Sequence, residues 1–238
     1  MEKTLIIADA SLFKESSCIL RTFYTAVAGY KAKKQNNDVE FGTALHKFKS
    51  HWRNNPSDIG YATAVVLAKN HYANADMHIK SNKKYLTIDF LVQACQQYAA
   101  TYRNDSFGTV TIPHAIDLGL GRILPAGSKL IEPVTRFAFP YYVDDDVEIL
   151  IAGTMDEIGK WHGGEYAIED LKTTSVWNVD EFFKSYDLSP QLLTYRWALK
   201  KYAEEYPDSF LAEIDSLISL CVCLVILLQV LLLQNQED

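Results

Sequence analysis

Beyond about residue 130 the chain becomes three strand-patterned segments joined by two tight polar turns, and this stretch constrains the fold more than any other. Ile131–Tyr142 and Val147–Ile158 alternate or run apolar, and Asp144-Asp145-Asp146 separates them. Lys160-Trp161-His162-Gly163-Gly164 makes a second turn before a third strand, Glu165–Lys172. The pattern is an antiparallel meander. Ser189 and Pro190 then open a helix, with Ser at the cap and Pro at the first helical position. Leu192, Tyr195, Leu199 and Tyr202 form its stripe, and it runs to about Tyr206.

The chain before this point reads mostly helical. Ser11–Gly29 is a first helix, with Gly29 near its end. Glu40–Trp52 is a second, because Phe41, Leu45, Phe48 and Trp52 recur at helical spacing before Asn54-Asn55-Pro56 stops it. Residues 61–73 form a third, and Thr87 caps a fourth that extends to Arg103. Helices, then a meander, then a helix specify an α/β (α+β) fold with a helical N-terminal elaboration. No internal repeat and no Pro/Gly/Ser-rich linker divides the sequence. Residues 1–216 therefore read as one domain, mostly helical and basic over 1–130, with the meander and its helix over 131–216. At 238 residues and 48% hydrophobic, the chain has the material for a sizeable core. Its 22% charged and 12% aromatic residues exclude a disordered, collagenous or low-complexity protein.

A net charge of −7 argues against a protein that coats nucleic acid with bulk positive charge. The average hides an asymmetry: residues 1–130 sum to +6 and residues 131–238 to −13. An acidic half beside a basic half suits a metal-dependent enzyme acting on a polyanion. Lys31, Lys33 and Lys34, with Lys80, Lys83 and Lys84, are either a phosphate track or ordinary solvated loops. Cys18, Cys95, Cys221 and Cys223 are too few and too scattered for a disulfide framework, and no CxxC pair offers a structural zinc site. The N-terminus MEKTLIIADA lacks a basic region followed by a long apolar run, so no signal peptide is expected and the setting is taken as reducing and cytoplasmic.

Asp156, Asp170 and Lys172 form the sharpest chemical constellation. Asp170 and Lys172 are two apart on one strand, so both leave the same face. A preceding antiparallel strand ending in Gly153-Thr154-Met155-Asp156 can bring a second carboxylate alongside. Two carboxylates near a cation make a hard oxygen site that suits Mg²⁺ or Mn²⁺, and a Lys beside them can orient a water or offset charge on a phosphorane-like transition state. A surface hairpin with scattered charges fits the spacing as well.

Gly153-x-x-Asp156, followed fourteen residues on by Asp170 within Ile168-Glu169-Asp170-Leu171-Lys172-Thr173-Thr174, resembles motifs II and III of the PD-(D/E)XK nuclease superfamily. Within it the pattern is similar to the RecB-type exonuclease branch, which includes CRISPR-associated adaptation nucleases and many phage exonucleases. Phe41-Gly42-Thr43-Ala44-Leu45-His46 looks like the upstream GxxxH helix, whose His is a metal ligand. Glu132 sits before the meander where many members carry a Glu, and Gln191 to Tyr195 matches the QxxxY motif. These features arrive in the family's order over residues 11 to 202. The resemblance implies a restriction-endonuclease-like central mixed sheet flanked by helices, and a Mg²⁺- or Mn²⁺-dependent deoxyribonuclease, an exonuclease on DNA ends. It implies Asp156, Asp170, His46 and Glu132 as metal ligands, Lys172 as the catalytic Lys, Gln191 and Tyr195 as DNA contacts, and DNA with recombination or repair proteins as partners. Glu169 competes with Asp170 but leaves the opposite face from Lys172, which favours Asp170.

Some RecB-type members hold an iron–sulfur cluster. Cys18 falls near the N-terminal ligand position, but Cys221 and Cys223 cannot supply the remaining three, so no cluster is expected. The other departure is the tail of residues 217–238. Leu217–Leu233 is 17 residues without charge, Gly or Pro, flanked by Glu213, Asp215, Glu237 and Asp238. As a helix it would be about 26 Å long, at the short limit for a bilayer core of ~30 Å, and it lacks the orienting Lys or Arg. A membrane anchor, a buried helix or strand pair, and a frameshift or truncation all fit the run; the last is favoured, and no membrane partner is expected. Besides a nuclease, the sequence admits a catalytically silent nucleic-acid-binding module of the same fold, or a membrane-tethered interaction protein.

Overall fold

The computed structural model of the chain describes residues 4–9, 33–103, 107–117, 123–132, 135–164, 166–174, 182, 184, 189–205 and 219–226. The expected helix at Ser11–Gly29, Cys18 and Lys31 lie outside these residues. In chain order the elements are β1 (Thr4–Asp9), β2 (Gln35–Asn36), α1 (Asn37–Asn54), α2 (Asp58–Asn74), β3 (Met77–His78) and α3 (Ile88–Tyr102). They continue with β4 (Phe107–Thr109), β5 (Ile116–Asp117), β6 (Ile123–Leu124), β7 (Arg136–Val143), β8 (Val147–Thr154) and β9 (Glu157–Trp161). The last are β10 (Tyr166–Thr174), α4 (Pro190–Glu205) and β11 (Ser219–Ile226). Two compact units result, one from residues 1–31, 107–169 and 180–221, the other from 32–106, 170–179 and 222–238. The chain passes from the first to the second between Glu169 and Asp170, inside the continuous strand β10.

The second unit is built on α1, α2 and α3. Phe41, Leu45, Phe48 and Trp52 of α1 are buried at the spacing that marks the helix in the sequence. Their rings meet those of the neighbouring helices edge to face: Phe41 against Tyr72 of α2 at 5.8 Å, and Phe48 against Tyr98 of α3 at 6.2 Å. The caps are local. Ser57 Oγ accepts from the Gly60 amide and Thr87 Oγ1 from the Phe90 amide, each satisfying an amide that the first helical turn leaves without a partner. Burial pushes the Cys95 thiol in α3 up to about 12, so it behaves as a small apolar core residue and not as a nucleophile.

The first unit holds a mixed sheet in the order β1-β8-β7, with β1 parallel and β7 antiparallel to β8. Asp144 makes the β7–β8 turn by accepting from the amides of Asp146 and Val147. Helix α4 lays its Tyr195, Trp197 and Tyr202 against Phe137, Phe139 and Tyr141 of β7, with Phe139 and Tyr202 at 4.5 Å. The second sheet runs β11-β10-β9-β4. A mixed α/β architecture with this sheet is the fold class that the sequence specifies.

Two strand boundaries differ from the sequence reading. The strand expected over Val147–Ile158 breaks at Met155-Asp156, so that β8 belongs to one sheet and β9 to the other. The strand expected from Ile131 begins only at Arg136, leaving Ile131 in a single bridge to Glu157; Pro133, which has no amide to donate, stands between. Part of the apolar tail, Ser219–Ile226, is the strand β11 beside β10. Among the described residues no helix is long and apolar enough to cross a membrane.

Gly159 of β9 lies under the Phe107 ring: an added methyl would stand 2.2 Å from a ring carbon. Gly159→Ala is expected to lower the unfolding free energy by about 1–3 kcal/mol through overpacking, measured by urea denaturation. The cost should shrink when Phe107→Leu is already present; an equal cost in both backgrounds would contradict this contact.

Candidate metal and catalytic site

Asp156 owes its position to the strand break. An unbroken strand would carry its side chain along one sheet, whereas the break places it between β8 and β9 in a fixed bend. Thr135 closes that bend from one side: its hydroxyl donates to the Met155 carbonyl, and its own carbonyl accepts the Met155 amide at 3.4 Å. The Asp156 carbonyl accepts the Glu132 amide at 2.9 Å, and the Ile158 amide donates to Leu130 at 2.8 Å. The segment before β7 thus runs beside the bend, and Glu132 arrives there through backbone pairing, outside any regular strand. One carboxylate oxygen of Glu132 and one of Asp156 lie within 4.8 Å of each other. Asp156 is buried and Glu132 half-buried. Two hard oxygen donors at this separation fit a divalent cation of the Mg²⁺ or Mn²⁺ kind.

A hydrogen-bond relay from α4 reaches the same strand end. Gln191 Nε2 donates to the Tyr195 hydroxyl at 2.6 Å, which donates in turn to the Thr154 carbonyl at 2.7 Å, two residues before Asp156. Residues four apart share a helix face, which lets Gln191 and Tyr195 act in series. The Tyr195 ring is buried against Phe137 at 6.2 Å, so the hydroxyl is held from both ends.

On β10, Asp170 and Lys172 leave the same face, and the Lys172 ammonium is 2.6 Å from the Asp170 carboxylate. The Asp170 side chain is 1% exposed and that of Lys172 22%. A buried carboxylate is thus paired with an ammonium that still reaches solvent. Glu169 leaves the other face, where it is buried directly opposite Glu157 of β9; Glu157 accepts from the Thr109 hydroxyl. In the same unit as Asp170, Gly42 of α1 stands so close to β10 that an added methyl would lie 3.7 Å from Thr173 Oγ1. One helical turn on from Gly42, His46 is half-buried on α1.

Two features went unread in the sequence. Thr135, which braces the bend, carries no pattern of its own and becomes visible only through the register. Lys49, three residues after His46 on α1, is 2% exposed among Phe48 and Trp52, although a Lys in a helix ordinarily signals a solvated face. Its one signal was that it falls next to the apolar stripe.

A comparison with curated proteins finds no match. The family model of the PD-(D/E)XK nuclease superfamily matches residues 11–217, which takes in the GxxxH helix, Asp156, the Asp170-x-Lys172 strand and the QxxxY helix. With most of its length inside that match and its mixed sheet of the matching class, the chain belongs to the PD-(D/E)XK nuclease superfamily.

Proposed function

We propose that the chain is a Mg²⁺- or Mn²⁺-dependent deoxyribonuclease of the RecB type that degrades DNA from its ends in a cytoplasmic setting. The observation that carries this reading is the Asp170–Lys172 pair, a buried carboxylate and a solvent-reaching ammonium 2.6 Å apart, in a chain of a nuclease superfamily. In this reading His46, Glu132, Asp156 and Asp170 hold the cation, and residues 1–216 act as one nuclease domain; the family match over both compact units supports the latter. When bound, the cation supplies Lewis-acid polarisation of the scissile phosphate and of a water.

The chain's own residues do the rest. Lys172 uses the charge that Asp170 does not fully offset to orient the attacking water and to stabilise negative charge growing on the phosphorus oxygens. Asp170, 2.6 Å away, keeps that ammonium aimed. Tyr195 holds the end of β8, and so the Asp156 bend, at fixed height, while Gln191 keeps its amide oxygen for a DNA phosphate's neighbouring sugar or water. Oxygens of the Glu132 and Asp156 carboxylates lie within 4.8 Å of each other, and a cation between them would relieve their mutual repulsion.

End-labelled linear DNA should be degraded with Mg²⁺ or Mn²⁺ and left intact with EDTA, while covalently closed circular DNA resists. Asp156→Ala, Asp170→Asn and Lys172→Ala should each lower the rate by about 100-fold or more; Lys172→Ala should still bind Mn²⁺ by calorimetry, and the Asp variants should bind it weakly. Full activity in Asp170→Asn would sink the assignment. Tyr195→Phe leaves the Thr154 carbonyl without its donor and should cost about 1–3 kcal/mol of stability, read by denaturation. Gln191→Ala should instead weaken DNA binding with little change in stability; the reverse division of effects would contradict the relay.

A further inference from the structure

A second surface is built around β2, β3 and the loop that follows β3. Described residues 33–103 carry ten Lys or Arg against five Asp or Glu, in a chain whose net charge is −7. Five of those lysines gather at one place. Parallel pairing of β2 with β3, Gln35 with Met77 and Asn36 with His78, brings Lys33 and Lys34 to the strand that leads into Lys80, Lys83 and Lys84. The loop carrying the latter three is built, not merely solvated. Asn37, 1% exposed, spends its side chain on it, donating to the Lys83 carbonyl at 2.8 Å and accepting the Lys80 amide at 3.2 Å. The buried Tyr72 hydroxyl donates to the Leu86 carbonyl at the loop's far end.

Asp38 then gathers both ammonium groups, Lys80 and Lys83 each 2.9 Å from the same carboxylate oxygen. Partial burial pushes the Asp38 carboxyl up, but the hydrogen bonds and charges of the two lysines outweigh this and hold it below the ordinary 3.8. One ionised carboxylate between two ammonium groups leaves a net positive charge in a fixed position. Lys34 pairs with the exposed Asp76 at 2.6 Å, while Lys33 and Lys84 are exposed and make no ion pair among the described residues. A flexible lysine loop needs no buried amide or hydroxyl to hold its backbone; a loop that must present several cations at fixed separations does. A polyanion with regularly spaced charges is the partner that gains from such spacing.

We propose that Lys33, Lys80, Lys83 and Lys84 form a docking surface for the nucleic-acid backbone, with Asp38 as an internal competitor for the lysines that phosphate engages. The surface holds DNA through its phosphates without reading sequence, and this inference rests on the nuclease reading above for the identity of the polyanion. Asp38 gives the proposal an unusual sign: removing a residue that stabilises the loop should strengthen binding.

The test is fluorescence anisotropy with a short labelled duplex and the matching single strand, in EDTA, across a KCl series. The double variant Lys33→Ala/Lys84→Ala, both exposed, should bind about ten-fold more weakly at moderate salt, with a log–log salt slope shallower by about two. Asp38→Asn should bind several-fold more tightly with a steeper slope. Hydrolysis of bis(p-nitrophenyl) phosphate, too small to span the surface, should be unchanged in the lysine variant. Wild-type affinity and slope in the lysine variant, weaker binding by Asp38→Asn, or lysine-dependent binding to anionic vesicles without binding to DNA would each overturn the proposal. A wild-type chain that neither binds nor cleaves DNA would instead overturn the nuclease reading beneath it.

Discussion

Removing the Asp170 carboxylate from water carries a cost of several kcal/mol, and the Lys172 ammonium at 2.6 Å offsets only part of it. Apolar side chains of similar volume at these two positions would stabilise β10 at least as well, since the strand is buried on both sides around Leu171 and Ile168. A buried ion pair in such a strand therefore makes poor sense as a stabilising device and good sense as a charge held ready for chemistry. The partial exposure of Lys172 agrees with this, because an ammonium that only satisfied Asp170 has no need to reach solvent. In the proposed reading these groups carry the chemistry, and their burial would fix them before any substrate arrives.

The other acidic site depends on a different constraint, the break after β8. Met155 and Asp156 leave one sheet before Glu157 joins the next, and every contact that braces the bend comes from a distant part of the chain. Thr135 reaches in from before β7, Glu132 pairs its amide with the Asp156 carbonyl, and Tyr195 of α4 caps the Thr154 carbonyl. None of these is a strong interaction alone, each being worth about 1 kcal/mol net. Their value is geometric, since three anchors from two distant segments leave the Asp156 backbone little room to move.

The helices of the second unit were legible in the sequence because their information is local. The stripe Phe41, Leu45, Phe48, Trp52, the cap at Thr87, and the stop at Asn54-Asn55-Pro56 all act within a few residues of the backbone they shape, whereas the cap at Ser57 went unread and its helix was expected only from residue 61. Asp170 and Lys172 were legible for the same reason: spacing of two on a strand fixes a shared face. The break at Met155-Asp156 was not, because an apolar run gives no sign of which sheet it pairs with, and only the ladders to β7 and β10 separate its two parts. Glu132 was read as a strand residue for want of that register. The parallel strand β1 had no counterpart in the sequence reading, since six residues of Thr4–Asp9 declare themselves only once they find β8. Asn37, Thr135 and Lys49 were invisible in kind: a single polar residue acquires meaning from what surrounds it in space.

The central claim is that His46, Glu132, Asp156 and Asp170 serve one divalent cation. Fe²⁺ substituted for Mg²⁺, with ascorbate and peroxide, cuts the backbone only beside the ion that generates the radicals. The account predicts four cuts, near residues 46, 132, 156 and 170, all suppressed together by excess Mg²⁺ and all lost in Asp156→Ala. Cuts confined to one of these segments, or cuts that persist unchanged in Asp156→Ala, would contradict it.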